Sequence, residues 1–456
     1  MNLVDTRETT PPVRKWKAYS TYKDSGIESL GEIPTHWEIS LLRRKLKNGS
    51  DGIKIGPFGS QLRLEYMQDS GFKVYGQEHV IANDFTLGLK YVGENKFREL
   101  AACVVQPGDL LITMMGTSGR CQLVPSGIEP GIMDSHLLRL RVRDHDINPH
   151  FAALVLDTAK YVEDHFQTMG KGAIMHGLNS SLVKSIVLAI PPPCEQQMIL
   201  AFLDRETAKI DALVAKKERL TELLQEKRAA LITCAVTKGL DPNAPMKDSG
   251  VEWLGEIPAH WEVQQLKHIA RLRSGEAITS FEIEESGDYP VYGGNGQRGY
   301  TSGFTHEGEF PLIGRQGALC GCINYASGRF WASEHAVVVT PIGEHVPTWL
   351  GELLRSMDLA QYSQSAAQPG LAVETIAALL VPVLSMAEER AIAAFLEQET
   401  AKIDALIVKI REGIEKLKEY RTALISAAVT GKIDVRAEIS TESRETIAEG
   451  GRGCTD

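Results

Sequence analysis

The sequence predicts an α+β protein in which two mixed α/β domains are joined by two long antiparallel coiled-coil helices, the whole forming a pseudo-two-fold tandem repeat. Three observations carry this. Residues 24–37 read DSGIESLGEIPTHW, and residues 248–261, 224 positions later, read DSGVEWLGEIPAHW. Residues 206–213 read ETAKIDAL, and residues 399–406, 193 positions later, read ETAKIDAL again. Around each ETAKIDAL, apolar residues return every seven positions, the signature of a helix seam. Each copy therefore opens on the LGEIP phrase, passes through a long variable segment and closes on a helix. The first variable segment is the longer by 31 residues.

A chain of 456 residues, 43% hydrophobic, can bury more than one core, and ordinary domain sizes suggest about three units. The boundaries fall at 1–190 for a first domain, 191–245 for the central helix and linker, and 246–384 for a second domain. The closing helix takes 385–436, and 437–456 is a polar tail expected to be disordered. Ile376 to Leu384 is among the longest apolar stretches and is far below the ~18 residues of a membrane span. The N-terminus has no apolar signal core, so a cytoplasmic protein without a membrane partner is expected. Seven cysteines lie scattered at Cys103, Cys121, Cys194, Cys234, Cys320, Cys322 and Cys454. They show neither metal-ligand spacing nor a disulfide framework, so no metal site is expected.

In the closing helix Leu396, Ile403, Ile410, Leu417 and Leu424 form the heptad seam, with Ile392, Leu406 and Ala427 on the intervening track. The central helix gives Leu203, Ile210, Leu224 and Leu231, with Ile199, Leu213 and Leu220 between them and one charged intruder, Lys217. Each helix can bury its stripe against the other, and each runs about 60 Å at 1.5 Å per residue. Gly413, inside the second helix, is a place for a bend. In the first variable segment the strands expected are Phe72–Tyr75, Cys103–Val105, Asp109–Thr113 and Leu137–Val142, with a helix over Phe151–His165. In the second they are Tyr289–Tyr292, Phe310–Ile313 and Ala336–Thr340, with a helix over Thr348–Tyr362. Glycine-rich polar loops separate these strands, and such loops are where a scaffold places recognition groups.

Catalytic patterns fail on context. Gly294, Gly296 and Gly299 fit G-x-G-x-x-G, but no helix follows them, and no phosphate-loop motif exists. An adenine methyltransferase needs an Asn/Asp-Pro-Pro-aromatic tetrad, and Asp241-Pro-Asn-Ala in the linker is the nearest approach. Pro107-Gly-Asp109 lacks the Glu-x-Lys partner of a nuclease. His79, His136, His176 and His335 share no spacing and read as structural or surface residues.

The repeated GEIPxHW opening, with a proline-bounded Glu-Gln/Glu pair leading into a long ETAKIDAL helix, resembles the specificity subunit of type I restriction-modification enzymes. The stretch Ile190-Pro-Pro-Pro-Cys-Glu-Gln-Gln197 is similar to the family's helix start; Val381-Pro-Val-Leu384 to Glu388-Glu-Arg390 departs by losing two prolines. The resemblance covers about residues 17–435. It implies two target-recognition domains, each reading half of a bipartite, asymmetric site in double-stranded DNA, with the helices as a ruler for the spacer. It further implies a chain that is not itself a catalyst and binds no cofactor. S-adenosylmethionine, ATP and magnesium belong on its partners, two modification (methyltransferase) and two ATP-driven restriction subunits.

Base edges are read by hydrogen-bonding side chains on loops. The candidates are Lys54, Gln77, Thr117, Ser118, Arg120 and Lys171 in the first domain, and Asn295, Gln297, Arg298, Arg315 and Gln316 in the second. Charge is the discordant feature. Residues 40–190 carry 17 Lys and Arg against 15 Asp and Glu, residues 262–382 carry 7 against 13, and the net charge is −10. Duplex binders are ordinarily basic, so partner subunits are expected to supply phosphate contacts. Two rivals stay open: the recognition subunit of a bipartite enzyme whose nuclease and methyltransferase share one chain, and a coiled-coil adaptor that binds proteins. Co-purification with a methyltransferase separates the adaptor from the others.

Overall fold

The computed structural model describes residues 16–58, 60–170, 178–317, 319–363 and 370–438. Two compact units emerge: residues up to 214 together with those from 414 onward, and residues 215–413. Both long helices, Pro193–Lys238 and Met386–Val429, pass from one unit into the other. Each unit therefore contains a segment of both.

In the first unit Leu203, Ile210 and Leu424 are buried in one core, with Leu417 packed against it. In the second, Leu396 and Ile392 join Ile232, Ala235 and Val236 in another. Ile403 and Ile410 are also buried, and Leu224 and Leu231 half-buried. The intervening track differs from expectation. Leu213, Leu220 and Leu406 are exposed, and Ile407 and Ile414 are buried instead. A heptad stripe alternates steps of four and three, and from Ile403 the partner is the residue four on rather than three on.

Within each unit the two helix segments run antiparallel. Arg228 meets Asp404 and Lys217 lies beside Gly413 in the second unit; Asp211 meets Arg421 in the first. The ion pairs are one pair written twice, since Asp211 and Asp404, like Arg228 and Arg421, stand 193 residues apart. Both are exposed and contribute about 0.2–1 kcal/mol each, enough to favour register rather than to hold the helices. A Cβ at Gly413 would meet the Lys217 Nζ at 3.4 Å, an ordinary contact, so the lysine does not require the glycine. The helix continues through that glycine.

The repeated phrase holds the start of each long helix. In the first unit the carboxylate of Glu195, buried in the first helical turn, accepts from Trp37 Nε1 (3.0 Å) and the Tyr19 hydroxyl (2.6 Å) and pairs with His36 Nε2 (2.7 Å). In the second, Glu388 meets His260 Nε2 (2.7 Å) and Trp261 Nε1 (3.1 Å) and closes a cap with Ser385. Both indoles are fully buried. The next residue holds the domain. Gln196 Oε1 accepts from the backbone N–H of Asn148, the N-cap of helix Pro149–Thr158. Glu389 Oε2 accepts from that of Val346, the N-cap of helix Pro347–Ser356. The far end of each helix is fitted to the same tryptophans. Gly431 packs on Pro34 and Trp37 and Gly239 on Pro258 and Trp261, both at positive φ, which glycine adopts without strain.

The first domain has an antiparallel four-stranded sheet, in order Cys121–Leu123, Leu110–Thr113, Leu137–Leu140 and Ile53–Ile55. A five-stranded sheet runs Met67–Gln68, Tyr91–Val92, Phe72–Tyr75, Gly131–Met133 and Val104–Val105. The second domain fuses the equivalent strands into one six-stranded sheet: Ala270–Ser274, Ala336–Pro341, His306–Gly314, Ile323–Ala332, Tyr289–Gly293 and Gly296–Thr301. Among the described strands each domain has one parallel strand pair, with Val74 opposite Ile132 and Val291 opposite Trp331. The helix expected over Phe151–His165 is two helices, Pro149–Thr158 and Lys160–Gly170, interrupted where Ala159 turns extended. Its counterpart ends at Ser356 before Asp358, which adopts a left-handed conformation. Residue 103 closes a 3-10 turn rather than opening a strand.

Glu195→Ala leaves the Trp37 N–H and the Tyr19 hydroxyl buried without their acceptor, at about 1–3 kcal/mol each. Calorimetry should show the first unit unfolding earlier, with Glu195→Gln milder. Burial alone would raise the Glu388 carboxyl, but hydrogen bonds from His260, Trp261 and Ser385 hold it at about 2. Its folded value lies below the ordinary one, so its contribution is complete above about pH 4.5 and is lost as pH falls toward 2. Glu388→Gln should flatten the acid limb of the second unit's unfolding transition.

Candidate nucleic-acid interface

Four backbone–backbone hydrogen bonds and one from a backbone N–H to a side chain build the same loop junction in each domain. The N–H of Asp134 donates to the Tyr75 carbonyl (2.9 Å), and that of Ser333 to the Tyr292 carbonyl (2.9 Å). His136 is turned by its N–H to Asp134 Oδ1 (2.8 Å) and His335 by its N–H to Ser333 Oγ (3.4 Å). The histidine carbonyls then accept from Met114 and Arg315, each at 2.9 Å, whose own carbonyls accept from Leu178 and Leu371, each at 3.0 Å. Gly56 and Gly275 complete the junction, donating to Leu137 (2.9 Å) and Ala336 (3.0 Å). Neither glycine tolerates a side chain, since a Cβ would lie 1.7 Å from the Asp134 carbonyl oxygen or 2.1 Å from that of Ala332. The junction brings together the loops after strands Ile53–Ile55, Phe72–Tyr75, Leu110–Thr113 and Gly131–Met133, and their second-domain counterparts.

His136 and His335 are thus the same position in the two copies. Sequence reading treated them as unrelated because the offset between copies slides from 224 at the opening phrase to 199 here. The signal was present in the Val-Tyr-Gly at 74–76 and 291–293, which aligns the preceding strand. Burial raises the Asp134 carboxyl above its usual range, opposed by its bonds to His136.

The sequence-derived candidates separate into three groups. Thr117 and Ser118 are exposed on the loop after Leu110–Thr113, and Asn295, Gln297 and Arg298 on the hairpin at Gly293–Gly296; Gln316 is exposed beside the bridge to Gly370. These side chains stand in solvent. Others hold the junction. Gln77 Oε1 accepts from Met115 N (3.2 Å), tying two loops, and Arg315 donates to Ser274 Oγ (3.2 Å). Arg120 is clamped on Asp157 by two hydrogen bonds (2.8 and 3.1 Å), in a cleft of about 670 Å³ that Thr117 and Ser118 also line. Lys54, half-buried, lies in the ladder opposite Arg139. Lys171 and His176 fall outside the described residues.

Structure also settles two side readings. Asp109 spends its carboxylate on Arg141 (2.6 Å) and the Gln106 N–H (2.8 Å), so it is a buried brace. Gly294, Gly296 and Gly299 shape a hairpin whose second arm is the strand Gly296–Thr301, with no helix to receive a phosphate. Among the described residues no group of three or more His, Cys, Asp or Glu could hold a metal ion. None of their helices is long and apolar enough to cross a membrane.

Comparison with known proteins agrees with this layout. A family model described as type I restriction modification DNA specificity domain matches residues 258–416. The EcoprrI specificity subunit of Escherichia coli is 43% identical over 151 residues, which are 32% of this chain and 37% of that one. The putative MjaX specificity subunit of Methanocaldococcus jannaschii is 22% identical over 446 residues, 91% of this chain and 98% of that one. A solved chain, from work on complex assembly and conformational transition of the type I R-M system, shares the fold with a TM-score of 0.66. It is 15% identical, over 88% of this chain and 99% of that chain.

Arg120→Ala should lower the first unit's thermal midpoint by releasing Asp157, without changing a recognised base. Arg298→Ala should leave the midpoint in place and relax discrimination at one position. Paired melting curves and binding to a base-substitution series test this division.

Proposed function

We propose that the chain is a type I restriction-modification DNA specificity subunit and that each of its domains reads one half of a bipartite, asymmetric DNA site. The observation that carries this reading is the duplicated loop junction. One hydrogen-bonded frame appears twice, and it presents different exposed side chains, Thr117 and Ser118 in one copy and Asn295, Gln297 and Arg298 in the other. Two dissimilar readers on one frame suit a target with dissimilar halves. Side chains of this kind bond to base edges in the major groove.

The helix pair supplies the spacer. Its antiparallel register fixes how many base pairs go unread between the halves. It also supports a symmetric partner arrangement: Leu213 in the first unit and Leu406 in the second, equivalent positions, stand 43% and 45% exposed. Each offers an apolar contact to one of two modification subunits, and two restriction subunits join that assembly. S-adenosylmethionine, ATP and magnesium act on those partners, and the chain works in the cytoplasm, beside the host DNA. With net charge −10 and an acidic second domain, the chain contributes discrimination, and its partners supply most of the phosphate neutralisation.

Purified alone, the chain should bind duplex DNA weakly; with its modification subunit it should bind tightly and selectively in a mobility-shift titration. Tight selective binding by the chain alone contradicts the proposal. Four-residue insertions after Arg219 and after Glu412, one turn or ~6 Å at the facing centres of both helices, should lengthen the spacer. Methylation mapping should then find both half-sites unchanged.

A further inference from the structure

Two aromatic rings stand out among the described residues: Phe58 is 79% exposed and Phe281 95%. Each lies on the loop that leaves the same strand of the duplicated frame. Phe58 lies two residues beyond Gly56, on the loop leaving strand Ile53–Ile55. Phe281 lies six beyond Gly275, on the loop leaving the equivalent strand Ala270–Ser274. These are the two glycines whose missing side chains let the loops press on the junction.

Neither ring sits on a slack loop. The Phe58 N–H donates to Gln61 Oε1 (3.1 Å), and the Gln61 N–H returns to the Phe58 carbonyl (2.7 Å). Phe281 sits in a 3-10 turn closed at both sides by Thr279 and Glu282. Beyond it the chain is strapped to the sheet where Glu284 and Tyr300 exchange N–H bonds at 2.9 Å. A phenylalanine presents 150–250 Å² of mostly apolar surface, which water disfavours. Holding one outward on a braced turn, twice, in domains whose loop sequences otherwise differ, marks a binding group.

Resting on the DNA-reading function above, we propose that Phe58 and Phe281 are the apolar base contacts of the two half-sites, each packing its ring on a base edge in the groove its own domain reads. Such a contact suits the second domain in particular. With 7 cations to 13 carboxylates over residues 262–382, that domain has little phosphate neutralisation to offer, and an apolar contact needs none. In the first domain Met115, the neighbour of the junction residue Met114, is exposed as well.

The test uses the complex of this chain with its modification subunits. The probe is a duplex bearing the bipartite site found by mapping methylated adenines, with control duplexes in which one half-site is scrambled. Phe58→Ala should weaken binding to the intact site on the order of tenfold. It should leave binding unchanged when the first half-site is scrambled; Phe281→Ala should do the same for the second. The salt slope should stay as in the parent, since no phosphate contact is lost. Phe→Leu at either position should recover most of the affinity, with thermal midpoints unaltered throughout. Unchanged affinity for the intact site, or an equal loss on intact and scrambled duplexes, overturns the proposal. If the parent complex itself does not prefer the intact site, the DNA-reading function fails as well, an outcome separate from failure of the phenylalanines alone.

Discussion

The fold depends on a carboxylate in the first turn of each long helix, Glu195 or Glu388, receiving the indole and imidazole of the twice-written His-Trp. A carboxylate taken out of water is costly unless its oxygens are satisfied, as those of the buried Glu195 are, while Glu388 stays 35% exposed. The next residue, Gln196 or Glu389, caps a helix of the variable domain. Two adjacent side chains therefore join three things: the opening phrase, the long helix and the domain between them. The repeated ends are alike because this socket admits little change, whereas the loops beyond the junction are released from it.

The organisation was legible wherever residue identity alone carries structure. The duplicated LGEIP and ETAKIDAL segments gave the repeat, and Leu203, Ile210, Leu396, Ile403, Ile410 and Leu424 are buried as their spacing predicts. Failures began where spacing needs a geometric tiebreak. Leu213, Leu220 and Leu406 fit a three-step track, but Ile407 and Ile414 are the residues buried. The strand Ile323–Ala332, INYASGRFWA, alternates too poorly to be seen, and its partner His306–Gly314 provides the pairing that sequence does not display.

The candidate site was less legible, for reasons of partnership. Arg120 has the right chemistry for a base edge but is engaged by Asp157, and Gln77 is engaged by Met115; sequence gives chemistry but not prior commitments. His136 and His335 were hidden by the sliding offset, and Phe58 and Phe281 because a lone loop phenylalanine resembles a core residue until its exposure is measured. The charge imbalance of the second domain, in contrast, was visible at once. It is the reason the proposal assigns phosphate contacts to partner subunits.

The central claim is that the socket and helices are a fixed frame and the variable segment an exchangeable reader. Sequencing methylated adenines in cells whose chain carries a different reader in place of residues 262–379, the helices untouched, tests it most directly. The account predicts that the second half-site changes while the first half-site and the spacer length stay as they were. A change in the first half-site or in the spacer would contradict it.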